Sequence, residues 1–252
     1  MEKVAILVDG GFYKKRAKAL FGDKAPEARA NELVEYCMRH VKGNYDKLYR
    51  IFYYDCPPAD KNIHNPLTGK TVNLQKDPLY AWNKEFFKKI VSKRKVALRQ
   101  GELLEGSMDY VLKPGILKKL CRKEITIDEL TLNDLIIDVK QKGVDMRIGL
   151  DISSIAFKKL ANKIILIAGD SDFVPAAKHA RREGIDFILD PMWNPIKDSL
   201  YEHIDGLRSV TYKPGSGNRD PLCMKPKTID SKKSTEKSAL SDLAKQEIVK
   251  RK

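Results

Sequence analysis

Two short runs of the chain are apolar almost throughout, rich in β-branched residues, and lead directly to an acid: K-V-A-I-L-V-D at 3–9, followed by Gly10-Gly11, and K-I-I-L-I-A at 163–168, followed by G-D-S-D-F. A strand that alternates apolar and polar residues keeps one face in water. A run without polar positions is buried on both faces, the condition of a parallel sheet covered by helices. Two more runs have this character. Y-D-K-L-Y-R-I-F-Y-Y-D at 45–55 ends in Asp55 and is stopped by Cys56-Pro57-Pro58, and F-I-L at 187–189 is flanked by acids. Helical patterns lie between them: 12–20; 26–41, with Leu33, Val34, Cys37, Met38 and Val41 on one face; and 173–183, closed by Gly184. Strands that alternate with helices make βαβ crossovers, which predicts an α/β fold with an open, mainly parallel sheet and helices on both faces.

Residues 56–130 break this rhythm. The stretch 62–73 reads as a loop, 80–91 as a helix and 95–104 as a strand or hairpin arm. The whole reads as an insertion or lid, being short and sparse in apolar positions. It carries basic clusters, Lys88-Lys89, Lys93-Arg94-Lys95, Lys118-Lys119 and Arg122-Lys123, near Tyr80, Trp82, Phe86 and Phe87. Aromatics among cations can stack bases and touch phosphates. The plainer reading puts Phe86 and Phe87 in the core and the lysines on a solvated face. After Tyr212 the chain turns to Lys, Ser, Asp, Gly and Pro, which predicts a folded domain over 1–212 and a disordered basic tail over 213–252, with a weak helix at 238–249.

Charge adds a bias rather than an assignment. The 252 residues carry 48 Lys plus Arg against 34 Asp plus Glu, a net charge of +14. The stretch 213–252 holds 11 basic and 5 acidic residues, so +6 belongs to the tail and +8 to 1–212. Such an excess suits a polyanion, because cations that neutralise phosphates release condensed counterions. Many proteins are basic for solubility alone. No run reaches the roughly 18 to 20 apolar residues of a membrane span. Met1-Glu2-Lys3 leads straight into the first strand without a leader, which predicts a cytoplasmic protein with no membrane partner. Cys37, Cys56, Cys121 and Cys223 lie far apart, as do the four histidines, which argues against a disulfide framework and a zinc site.

Five aspartates stand where a parallel sheet would put its chemistry. Asp9 ends the first strand, and Asp170 and Asp172 follow the strand at 163–168. Ligands of open parallel sheets bind outside the carboxyl ends of the strands, where strand order reverses, so these acids should share a crevice. Asp145 and Asp151 sit in K-G-V-D-M-R-I-G-L-D-I at 142–152. Six residues apart on a regular helix, their side chains point about 120° from each other. They converge only if Asp145 precedes or caps the helix while Asp151 projects from its second turn. Carboxylates without histidine or cysteine select hard ions, Mg²⁺ or Mn²⁺, and a cation offsets their mutual repulsion. The reaction such a cluster serves is phosphodiester hydrolysis by metal-activated water. Each acid also has a capping role open to it: Asp9 before Gly10-Gly11, Asp172 before Phe173-Val174-Pro175, and Asp145 at its helix start. A haloacid-dehalogenase site would need D-x-D after the first strand, and Gly11 holds the position of its second acid.

Three blocks, V-A-I-L-V-D-G-G-F-Y at 4–13, K-G-V-D-M-R-I-G-L-D-I at 142–152 and I-L-I-A-G-D-S-D-F-V-P at 165–175, together resemble the signatures of the NYN domain, in its LabA-like branch among the PIN-like nucleases. D-F-I-L-D-P-M-W-N-P-I at 186–196 is similar to the end of that domain. The resemblance implies a PIN-like three-layer α/β/α sandwich spanning 1–212, with the insertion at 56–130 lying outside the common core. It implies ribonuclease activity with Mg²⁺ or Mn²⁺, single-stranded RNA as the partner, and Asp9, Asp145, Asp151, Asp170 and Asp172 as the catalytic set. In that set Asp9, Asp151 and Asp170 are direct metal ligands, with Asp172 beside them and Asp145 completing the cluster. Many NYN domains read D-G-x-N in the first block, where this chain has Phe12. That departure keeps a second reading open, a nucleic-acid-binding or regulatory module on the same fold. A third, more distant, is a phosphatase or nucleotidyl-group enzyme acting on small nucleotides.

Overall fold

The computed structural model describes residues 1–217. The chain runs β1 (Glu2–Asp9), α1 (Gly10–Phe21), α2 (Pro26–Met38), β2 (Asp46–Asp55), β3 (Asn62–His64), β4 (Thr71–Asn73), α3 (Pro78–Val91), β5 (Val96–Gln100), β6 (Glu102–Leu112) and α4 (Pro114–Cys121). It continues through β7 (Leu135–Lys142), α5 (Val144–Phe157), β8 (Lys163–Ile167), α6 (Val174–Arg182), β9 (Asp186–Asp190), α7 (Asp198–Tyr201) and β10 (Gly206–Leu207). Six strands form one sheet in the order β10-β9-β8-β1-β2-β5, and every neighbouring pair is parallel.

The all-apolar first run behaves as its composition requires. Val4 through Val8 are fully buried. Val4, Ile6 and Val8 face a core made with Tyr13, Leu33, Tyr36, Phe86 and Ile90 of α1, α2 and α3, whereas Ala5 and Leu7 face one made with Ile148, Ile152, Ile155, Ala177 and Ala180 of α5 and α6. Successive strand residues point to opposite faces, so a strand covered on both sides needs apolar residues at every position. The result is three layers, α/β/α.

The stretch expected as an insertion divides. Strand β5 belongs to the main sheet and helix α3 packs on it: β5 lies parallel to β2 with Ile51 opposite Val96, and Phe86 is fully buried. Their sequence looked foreign because β5 is an edge strand and α3 buries only one stripe. Phe86 and Phe87 thus pack into the core, with Trp82 stacked on Phe86 at 5.1 Å between ring centroids. The expected loop at 62–73 contains the short antiparallel hairpin β3/β4, turned by Asn65, whose Oδ1 accepts the N–H groups of Leu67 and Thr68. Three-residue strands are too short to show a period, whereas the asparagine turn is local chemistry. Strands β6 and β7 form a separate antiparallel arm, with Met108 opposite Val139. Ile63, Leu74 and Met108 join the arm to the hairpin in a small core of their own. Most of the tail expected over 213–252 lies outside the described residues.

Candidate active site at the carboxyl edge of the sheet

Strand order reverses between β1 and β8: the chain leaves β1 towards β2 and β5 on one side and returns to β8, β9 and β10 on the other. Helices then cover opposite faces, and a crevice opens where they part. Asp9 is the last residue of β1, and Asp170 follows the end of β8 after Ala168-Gly169. Asp9 caps α1, its Oδ1 accepting the Phe12 N–H at 3.1 Å. Asp170 caps the single turn Ser171–Phe173, its Oδ1 accepting the Asp172 N–H at 3.2 Å. The cap falls on Asp170 rather than on Asp172. Gly143, at φ 84°, adopts the left-handed turn that ends β7 and opens α5, which places Asp145 in the first turn of that helix.

The electrostatics tie three of these segments together. Burial pushes the Asp9 carboxyl up to about 6; the Phe12 N–H pulls the other way, and the charges of Asp145 and Asp55 push it further up. Asp145 is also raised, by burial first and then by the charges of Asp170 and Asp172. Asp9, Asp145, Asp170 and Asp172 therefore form a chain of mutual repulsion across β1, α5 and the loop after β8. Among the described residues none of these four has an ion-pair partner, in contrast to Asp55, with Lys14 Nζ at 2.8 Å, and Asp151, with Arg99 Nε at 3.2 Å.

Asp151, unlike the other four, has partners of its own. Its Oδ2 accepts a hydrogen bond from the Tyr54 hydroxyl at 2.8 Å as well as from Arg99. Asp145 does begin the helix as convergence demanded, but Asp151, six residues on, is turned towards β2 and β5. Burial, then the Asp151 charge, pushes the Tyr54 hydroxyl well above its ordinary value, which keeps it a donor. Asp151→Asn keeps the Tyr54 bond and removes a half-exposed ion pair. It should cost less than about 1 kcal/mol in urea denaturation, and should reduce any cleavage less than substitution of Asp170 does.

Two residues at this edge were not singled out as site candidates from the sequence. Asp55 ends β2 as Asp9 ends β1, is buried, and accepts the Cys56 N–H at 2.9 Å. Lys14, on α1, bridges it to Asn83 of α3, donating to Asn83 Oδ1 at 2.9 Å. The strand-final acid was the available signal. It is not sufficient by itself, since Asp190 ends β9 in the same way and is fully enclosed. Its carboxylate takes the Tyr36 hydroxyl at 2.6 Å, the Met192 N–H at 2.7 Å and the Ser209 hydroxyl at 3.0 Å, with His40 Nε2 at 2.8 Å. Every lone pair is used inside the fold, so Asp190 is structural.

Phe12 fills the place of the asparagine common in the first block. Its ring lies against Gly169, where a Cβ would stand 2.5 Å from a ring carbon, so the close approach requires glycine beside Asp170.

Among the described residues no three His, Cys, Asp or Glu side chains form a ready-made metal cage. The donor chemistry still fits a hard ion: the four unpaired acids offer only oxygen, and Mg²⁺ keeps several waters and takes one or two carboxylates rather than a complete protein cage. No helix among the described residues is long and apolar enough to cross a membrane.

No curated protein sequence matches the chain. A solved structure of a protein of unknown function from Vibrio parahaemolyticus is similar over 82% of this chain and 91% of its own length, at 15% identity and a TM-score of 0.41. The family model of the NYN domain matches residues 85–194, a segment that contains Asp145, Asp151, Asp170 and Asp172 and begins after Asp9 and Asp55. Over that segment, less than half of its length, the chain is similar to the NYN domain, a family of the PIN-like nuclease superfamily.

Proposed function

We propose that the chain hydrolyses phosphodiester bonds in a metal-dependent way, as an endoribonuclease acting on single-stranded RNA, with Asp9, Asp145, Asp170 and Asp172 holding Mg²⁺ or Mn²⁺. The observation that carries this reading is the run of four acids at the switch point, raised or raising one another and lacking an ion-pair partner among the described residues. A structural carboxylate finds partners, as Asp190 does; a group of unpaired acids beside a crevice is costly unless a cation enters. When bound, the ion supplies charge stabilisation to the phosphoryl group and acidity to water. Lys14 neutralises Asp55 next door, so the uncompensated charge is concentrated on the other four. Asp151 stays outside the set, orienting Tyr54 and Arg99.

The test is end-labelled single-stranded RNA with and without Mn²⁺, beside single-stranded DNA. Internal fragments that need the metal support the reading; tight binding without fragments in any metal supports the module that binds without cutting. Phe12 favours that second reading, since an aromatic ring rather than an amide stands against the Asp170 loop.

The basic stretch 213–252 serves as a sequence-blind tether for RNA in this reading. Its deletion should weaken binding about equally for every RNA and flatten the dependence of log affinity on log salt, leaving the rate at saturation unchanged. An unchanged salt slope would leave the folded domain as the RNA-contacting surface.

A further inference from the structure

Two clefts meet at Pro57, Pro58 and Tyr80, beside the acids. The first, of about 330 Å³, lies between the main sheet and the antiparallel arm. Leu79 of α3 forms one wall, and Leu103, Ile137 and Val139 of β6 and β7 form the other. Lys14, Asp55 and Asn83 make its polar floor. The second cleft runs along α3 past Lys84 and Lys88, which lie one helical turn apart.

We propose that the first cleft holds one unpaired nucleobase of the substrate and that the second carries the adjoining backbone phosphates past Lys84 and Lys88. The proposal rests on the reading of the neighbouring acids as a phosphodiester-cleaving site and names the subsite that positions the strand there. Apolar walls on both sides suit the two faces of a planar ring. The floor presents a donor next to an acceptor. Lys14 Nζ uses two of its protons on Asp55 and Asn83 and keeps a third, while Asn83 Nδ2 donates one proton to Leu79 O and keeps the other. The Asp55 carboxylate accepts beside them. Base edges carry the complementary pattern of adjacent donor and acceptor, and only in an unpaired base is that edge free. The floor also adjoins the chemistry, because the Asp55 charge is felt by Asp9. A base seated there sets its own phosphate near the acids. The arm β6/β7, which supplies one wall, thereby selects single strands, since a duplex cannot insert one base between Leu79 and Val139.

The experiment uses the full chain in EDTA, so that nothing is cleaved, and fluorescein-labelled RNA hexamers in which one abasic ribose is walked through the sequence. In the unsubstituted protein, loss of the base at one position should weaken binding about tenfold, the contribution of one stacked base. Val139→Trp fills the cleft; it should weaken the intact hexamer by a similar factor and erase the position effect. Leu79→Trp, at an exposed site in the first turn of α3, should do the same with little risk to folding, which circular dichroism checks. A flat abasic series, or tryptophan variants that bind like the unsubstituted protein, overturns the nucleobase subsite and leaves the nuclease reading standing. A position effect that persists in a protein that cleaves nothing with Mn²⁺ leaves the subsite standing and removes the nuclease reading. Failure to bind any hexamer overturns the nucleobase subsite, while cleavage with Mn²⁺ still decides the nuclease reading.

Discussion

Cleavage of single-stranded RNA should fall by at least about 100-fold in Asp170→Asn, with no loss of stability in the metal-free protein, because a metal site contributes several kcal/mol to the transition state. The substitution keeps shape and keeps the local hydrogen bond, since an amide oxygen accepts the Asp172 N–H as the carboxylate does at 3.2 Å. What it removes is one of the charges that raise Asp145. Repulsion in the metal-free cluster therefore falls, and the melting temperature in EDTA should hold or rise. The two readouts move in opposite directions only if Asp170 serves the cluster. A variant that melts clearly lower in EDTA would make Asp170 a structural cap, and unimpaired cleavage would remove it from the active site.

A second large effect is expected in the pH dependence of stability, and its sign runs against ordinary acid denaturation. Folding raises the Asp9 carboxyl from 3.8 to about 6. Below pH 3.8 the folded and unfolded states both bind the proton, and the contribution of Asp9 to stability is fully present. As pH rises through the interval the unfolded state releases its proton first, so that contribution is lost progressively and is gone above about pH 6. With some solvent screening of this partly exposed group, the loss amounts to about 2 to 3 kcal/mol. Asp9→Asn preserves the cap on Phe12 and removes the titration. Urea denaturation of both proteins in EDTA should give similar stabilities near pH 4 and a variant more stable by about 2 to 3 kcal/mol at pH 7. Mg²⁺ should narrow the gap at pH 7 by neutralising the carboxylate in the unsubstituted protein. A gap that is flat with pH, or that favours the unsubstituted protein above pH 6, would mean that Asp9 has a partner that burial and repulsion do not describe.

These two substitutions and Asp151→Asn separate roles that look alike in sequence. All three acids lie in signature blocks, yet Asp9 and Asp170 have no ion-pair partner among the described residues while Asp151 is ion-paired with Arg99. The difference is one of direction along a helix, and it becomes visible only when β5 is in place to supply the arginine.

The sequence by itself determined the layer architecture and the edge at which its acids gather. Val4 to Val8 contain no polar position, so the first strand had to lie inside a two-sided sheet, and parallel connections had to bring Asp9, Asp55 and the Gly169-Asp170 loop to the same end of that sheet. Those are consequences of local period and of chain connectivity, which a linear sequence records. Only the tertiary structure decided which acids stay unpaired. Lys14 reaches Asp55 across the α1/β2 contact, Arg99 and Tyr54 claim Asp151, and Tyr36, Ser209 and the Met192 N–H satisfy Asp190 with His40 packed against it. Apart from the Met192 N–H, two residues from Asp190, each pairing joins residues distant in sequence, and no period or spacing encodes it. The cleft beside the acids is of the same kind: its walls come from α3 and from the β6/β7 arm, elements whose short or single-sided apolar patterns read as an insertion until packing brought them together. Burial on both faces is written residue by residue, whereas the charge state and shape of a crevice depend on which long-range partners arrive there.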